Sequence, residues 1–114
     1  LPALSSIGRD DLAYAVLLEP TCPSWMCSVL AGATTIWERF DGATGSRNHY
    51  AYGAVGAWIY DAIGGIALDP AAPAGRHVFV RPRPGGGLAW AKAEHDSPYG
   101  VVRTAWSREK GTFK

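Results

Sequence analysis

Residues 49–66 form the longest apolar stretch of the chain, and they constrain its fold more than any other feature. Ala51, Val55, Ile59 and Ile63 lie on one i, i+4 row, and Ala54, Trp58 and Ala62 on the adjacent row. Asp61 is the only formally charged residue, so a helix here has no broad polar face, and Gly53 and Gly56 let a neighbouring backbone come close. Such a helix is buried all round or sits in lipid. Lipid is the poorer reading: the run barely reaches the roughly 20 residues that a span takes, and Asp61 and four glycines interrupt it. Burial among several helices remains, and 114 residues supply too few of them.

Composition points the same way. Only 18% of the residues are charged, against roughly 25% in an ordinary soluble domain, while 47% are hydrophobic. A small domain has much surface for its volume and should carry more charge, not less. The chain therefore reads as part of something larger. Lys and Arg number 11 against 10 for Asp and Glu, a net charge of +1. That balance leaves no electrostatic footprint for nucleic acid or an anionic membrane, and neither is expected as a partner.

The pattern changes near residue 66, which predicts helices before it and strands after it, an α+β chain. Leu1 to Ile7 read as a helix stopped at Gly8, and Asp10 as the N-cap of a helix to Glu19 with Leu12, Val16 and Leu17 on its inner face. Ser24 caps a further helix running to about Thr35, with Trp25, Val29 and Leu30 on one stripe. A polar loop at 41–48 precedes the long apolar run. From Arg76 the period is two. One strand holds Val78 and Val80, a second Leu88, Trp90 and Ala93, a third 101–106, and a fourth starts at Thr112. Gly85-Gly86-Gly87 reads as a hairpin turn, since it precedes a strand and lacks the ending of a phosphate loop, and 96–100 is the next connection. Such a meander leaves an open edge. Both ends read as cut, and the start shows neither Met nor a leader pattern, so no compartment is indicated.

Few residues offer chemistry. Two cysteines cannot build a disulfide scaffold or, with three distant histidines, a zinc site. A bridge from Cys22 to Cys27 would join a cap to the first helical turn, which sterics disfavour, so buried thiols are expected. His77 and His95 read as surface residues, and no cofactor or metal is indicated. The informative stretch is Thr34-Thr35-Ile36-Trp37-Glu38-Arg39-Phe40-Asp41 with Asn48-His49-Tyr50-Ala51-Tyr52-Gly53. Glu38 is expected at the end of an apolar helix, beside Trp37, with His49 opening the next helix. A tryptophan face can stack on a sugar ring while the carboxylate and imidazole take hydroxyls or move protons. The plainer alternative is a structural pair of Glu38 with Arg39 or His49, and periodicity alone favours it.

These two runs, with Leu1-Pro2-Ala3-Leu4, Asp11-Leu12-Ala13-Tyr14, Pro23-Ser24-Trp25 and residues 84–88, resemble the C-terminal part of bacterial alpha-L-rhamnosidases. These are inverting glycoside hydrolases with an (α/α)6-barrel catalytic domain, and the resemblance covers essentially the whole chain. It implies that residues 1–66 are the last helices of the barrel and that 67–114 begin an incomplete antiparallel β-sandwich. It implies Glu38 as the general base that activates water, with His49 and Trp37 at the rhamnose of a rhamnoside substrate. The loop at 40–48 is shorter than the family's, and the two cysteines replace other residues.

Inversion needs two carboxyl groups about 6.5–9.5 Å apart, and the family's general acid lies on earlier helices that this chain does not contain. The expectation is a fragment or truncated homologue, inactive alone as a rhamnosidase. It is expected either to be completed by the missing N-terminal barrel or to self-associate as a homo-oligomer. A carbohydrate-binding remnant is one alternative, and an unrelated hydrolase, without a Gly-x-Ser-x-Gly elbow, is another.

Overall fold

A computed structural model describes all residues, 1–114, and the chain divides into two compact units, Leu1–Gly56 and Ala57–Lys114. The first is helical. Helix α1 spans Pro2–Ser6, α2 Asp10–Leu17 and α3 Trp25–Leu30; α4 covers Tyr50–Gly53, and α5, Val55–Trp58, crosses the division. Gly8 has φ +75°, the left-handed turn that lets the chain leave α1. Asp10 is not a cap. It is the first residue of α2 and accepts the Ser5 hydroxyl, while Arg9 occupies the cap position without a side-chain bond. Arg9 also grips Asp11, and that hydrogen bond, the largest influence on the carboxyl, lowers its pKa to about 2.

Ser24 does cap α3, accepting the Cys27 N–H at 2.9 Å, but the helix stops at Leu30, ahead of Gly32 at φ +81°. The inner faces also differ from the pattern reading. α2 buries Ala13, Tyr14 and Leu17 and leaves Leu12 and Val16 exposed; α3 buries Ser28 and exposes Val29 and Leu30. Ser28 points inward because its hydroxyl donates to the Phe40 carbonyl. The cysteines are not free thiols: Cys22 and Cys27 form a disulfide. Their two Cα atoms lie 5.3 Å apart, inside disulfide range.

Residues 49–66 are not one helix. After α4 and α5 the chain widens to a π-helical turn at Ile59–Ile63 and then enters strand β1, Ile66–Leu68. The widening follows from what takes its carbonyls. Ala62 accepts the Arg83 N–H at 2.8 Å, Ile63 the Trp106 indole at 2.7 Å, Gly64 the Thr104 hydroxyl at 2.5 Å and Gly65 the Arg81 N–H at 2.9 Å. These four carbonyls at the helix end are thus satisfied from the strand region. Asp61, the one charge of the run, pairs with Arg83 at 2.7 Å.

Strand β1 pairs antiparallel with β2, Val78–Val80, across a turn where Asp69 bonds His77 at 2.8 Å; that bond is the main reason its carboxyl pKa is lowered. A three-stranded antiparallel sheet follows, with β3 (Trp90–Ser97), β4 (Gly100–Glu109) and β5 (Thr112–Phe113) in chain order. Because β2 pairs with β1, the Gly85–Gly87 run links two sheets and is no hairpin turn. In β3, Ala91, opposite Trp106, is buried, and Trp90 faces out.

Gly64 and Gly65 let the π-helical turn meet this sheet region. A Cβ on Gly64 would lie 2.7 Å from the Ala93 Cβ, and one on Gly65, whose φ is +74°, 2.6 Å from the Pro82 nitrogen. Gly65→Ala combines left-handed strain with backbone overlap and should cost about 2–4 kcal/mol. Its urea midpoint should fall accordingly at unchanged m-value; a midpoint equal to the parent's would contradict this packing.

Candidate functional site

The stretch from Ile36 to His49 is a closed loop of irregular backbone. The helix expected to carry Glu38 ends at Leu30, so Trp37 and Glu38 sit on that loop instead. Its two arms are laced by backbone bonds: His49 N–H donates to the Ile36 carbonyl at 2.7 Å, and Glu38 N–H to the Ser46 carbonyl at 2.8 Å. The Thr35 hydroxyl adds a bond to the Arg47 carbonyl. Within the loop, the Asp41 carboxylate accepts the Ala43 N–H, a local turn that Asp favours, and Gly42 and Gly45 take φ of +67° and +88°.

Glu38 is exposed, and its partner is neither Arg39 nor His49. Its Oε2 accepts the Ser46 N–H at 2.7 Å, so Glu38 and Ser46 hold each other by two bonds in opposite senses. No donor of the chain takes the other carboxylate oxygen. His49 opens α4 as expected, at its N-cap position but without a side-chain cap bond, so its imidazole is left for other contacts. That ring lies 5.5 Å from the Tyr52 ring and 6.3 Å from that of Tyr50. Tyr52 in turn meets Phe40 at 5.0 Å, and Phe40 meets Trp25 at 5.4 Å. The Trp25 indole donates to the Tyr52 carbonyl at 3.1 Å. An aromatic row thus ties the disulfide-bearing α3 to the start of α4 and fixes the base of the loop.

Trp37 is half-buried, and its ring carries the Arg47 guanidinium 4.7 Å from its centroid. Arg47 also donates to the Gly42 carbonyl at 2.7 Å. Sequence reasoning missed Ser46 and Arg47 here. The signal available was the Gly42-Ala43-Thr44-Gly45-Ser46 spacing, which marks a tight turn but not the carboxylate inside it. A separate cavity of about 460 Å³ in the second unit, walled by Tyr60, Asp61, Arg81 and His95 over Ile66 and Leu68, holds none of the expected site residues. No group of three or more His, Cys, Asp or Glu is close enough to hold a metal ion.

A carboxylate gripped through one oxygen by a backbone amide, with the other oxygen open, can accept a proton from water. Gly45 guards that arrangement: a Cβ there would lie 2.7 Å from Glu38 Oε2. Gly45→Ala should therefore displace the carboxylate and speed hydrogen exchange of the Ser46 amide by about tenfold or more. Gly32→Ala, equally left-handed but with nothing within 4 Å, supplies the control for strain alone. Equal Ser46 exchange in both variants would refute the contact.

Comparison with known proteins places this geometry in context. The family model described as the bacterial alpha-L-rhamnosidase 6 hairpin glycosidase domain matches residues 1–63, and that of the bacterial alpha-L-rhamnosidase C-terminal domain matches 65–114. An alpha-L-rhamnosidase of Streptomyces avermitilis is 42% identical over 99% of this chain, and one of Formosa agariphila 39% over 96%. The crystal structure of native alpha-L-rhamnosidase from Aspergillus terreus superposes with a TM-score of 0.85 at 38% identity over 96% of the chain. The chain spans only 12%, 13% and 14% of the lengths of these three proteins.

Proposed function

Because the chain belongs to the bacterial alpha-L-rhamnosidase family, we propose that it supplies the water-activating base of an inverting hydrolysis of terminal alpha-L-rhamnosides. Residues 1–66 are assigned to the last helices of an (α/α)6 barrel and 67–114 to the start of a C-terminal β-sandwich. The changeover between the two family matches, at 63–65, supports that division. Glu38 is the general base, His49 contacts the sugar and Trp37 forms the apolar wall beside it. The observation that carries this reading is the Glu38 carboxylate itself, fixed through Oε2 and exposed.

In this reaction Glu38 takes a proton from water as the water oxygen attacks the anomeric carbon, and the leaving oxygen must receive a proton from an acid on the opposite face. The second carboxyl belongs to the rest of the enzyme. The 114-residue chain by itself should show no appreciable turnover of an aryl alpha-L-rhamnoside. In the complete enzyme, Glu38→Gln keeps size and hydrogen bonding but removes the base, and kcat should fall about 10²–10⁴-fold at nearly constant KM. His49→Ala should act mainly on KM. Steady-state kinetics decide: a kcat within a few-fold of the parent for Glu38→Gln, with activity abolished by His49→Ala, would move the base elsewhere.

One observation favours a second reading for the chain by itself. Tyr50 is 89% exposed, Ile7 71% and Leu30 67%, an apolar display that calls for cover. In the whole enzyme the other barrel helices provide it; in the isolated chain a second copy does. Light scattering at micromolar concentration should report an oligomer, and a monodisperse monomer excludes this reading.

A further inference from the structure

Glu38 needs more than the Ser46 amide to stay in place, because the segment that carries Ser46 is exposed and rich in turns. Beyond the Glu38 carboxylate and the Thr35 hydroxyl, the side chain that ties this segment to the tip of the loop is that of Arg47. Its guanidinium does two things at once: it lies over the Trp37 ring, 4.7 Å from the centroid, and Nη2 donates to the Gly42 carbonyl at 2.7 Å. Trp37 precedes Glu38 in the chain and Arg47 follows Ser46. The stacked pair therefore flanks the two reciprocal bonds between Glu38 and Ser46 on the same two arms. Gly42 lies against the same indole, since a Cβ on it would fall 2.4 Å from Trp37 Cζ3. Arg47 thus joins the tip of the loop, the indole and the Ser46 arm.

We propose that Arg47 is a positioning residue for Glu38, clasping the Gly42 turn and the Trp37 ring so that the Ser46 amide stays on the carboxylate. A planar guanidinium can stack on a ring while its edge N–H donates in the ring's neighbourhood, which a lysine ammonium does less well. The catalytic meaning of the clasp rests on Glu38 being the base, whereas its existence does not. The test therefore reads the clasp without any hydrolysis.

Hydrogen exchange of the 114-residue chain is measured by NMR for Arg47→Met and Arg47→Lys. Arg47→Met should speed exchange of the Ser46 and Glu38 amides by about tenfold and leave those of α2 and β4 unchanged; Arg47→Lys should fall between Met and the parent. Exchange at Ser46 and Glu38 within about twofold of the parent in Arg47→Met overturns the proposal. So does a uniform rise at all amides, which marks a merely structural role, and so does a lysine variant no better than methionine. The unsubstituted chain gives a second reading should the variants fail to fold. The Arg47 δ-methylene protons should be shifted upfield by the Trp37 ring current, and the shift should vanish in Trp37→Leu. Random-coil positions for those protons in the parent overturn the clasp.

Discussion

Four successive carbonyls, those of Ala62, Ile63, Gly64 and Gly65, govern how the second unit is built. A helix end leaves its last carbonyls without partners, and burying them unpaired costs more than a normal hydrogen bond returns. Here each is met by a donor from a different place: two backbone amides beyond β2 and two side chains of β4. To point all four at those donors the chain opens from an α into a π turn and then straightens into β1. The register of β4 follows, since Thr104 and Trp106 must lie on one face to reach Gly64 and Ile63, and Ala91 and Ala93 opposite them must be small. The two glycines are required by the same closeness.

In the first unit the corresponding constraint is the lacing of the loop between Ile36 and His49. Glu38 is held by a backbone amide rather than by a charged side chain, which orients the carboxylate through one oxygen. The aromatic row from His49 through Tyr52 and Phe40 to Trp25 holds the loop's base with ring contacts. Such a site can position one carboxylate and one imidazole. The chain matches about an eighth of the length of its relatives.

The disulfide and the inner faces of the short helices show where local pattern misleads. The spacing in α3 predicts an apolar stripe turned inward, yet Ser28 is buried and Leu30 exposed. One serine hydroxyl with a carbonyl to satisfy outweighed the stripe, because the chain holds no element to cover the other side of α3. The cysteine spacing likewise reads as too tight for a bridge, yet the two Cα atoms lie 5.3 Å apart.

The sequence by itself determined the change from helix to strand near residue 66, the Ser24 cap, the strands after Val78 and the two motif runs that carry Glu38 and His49. These depend on local preferences, on period and on a resemblance spread along the chain, all of which are legible without knowing what touches what. Only the tertiary structure decided that the apolar run breaks into α4, α5 and a π turn, that β2 pairs with β1 rather than β3, and that Glu38 answers to Ser46. Those outcomes depend on donors and acceptors far apart in the chain finding one another. A buried polar group takes the partner that geometry brings to it, and spacing alone does not name that partner.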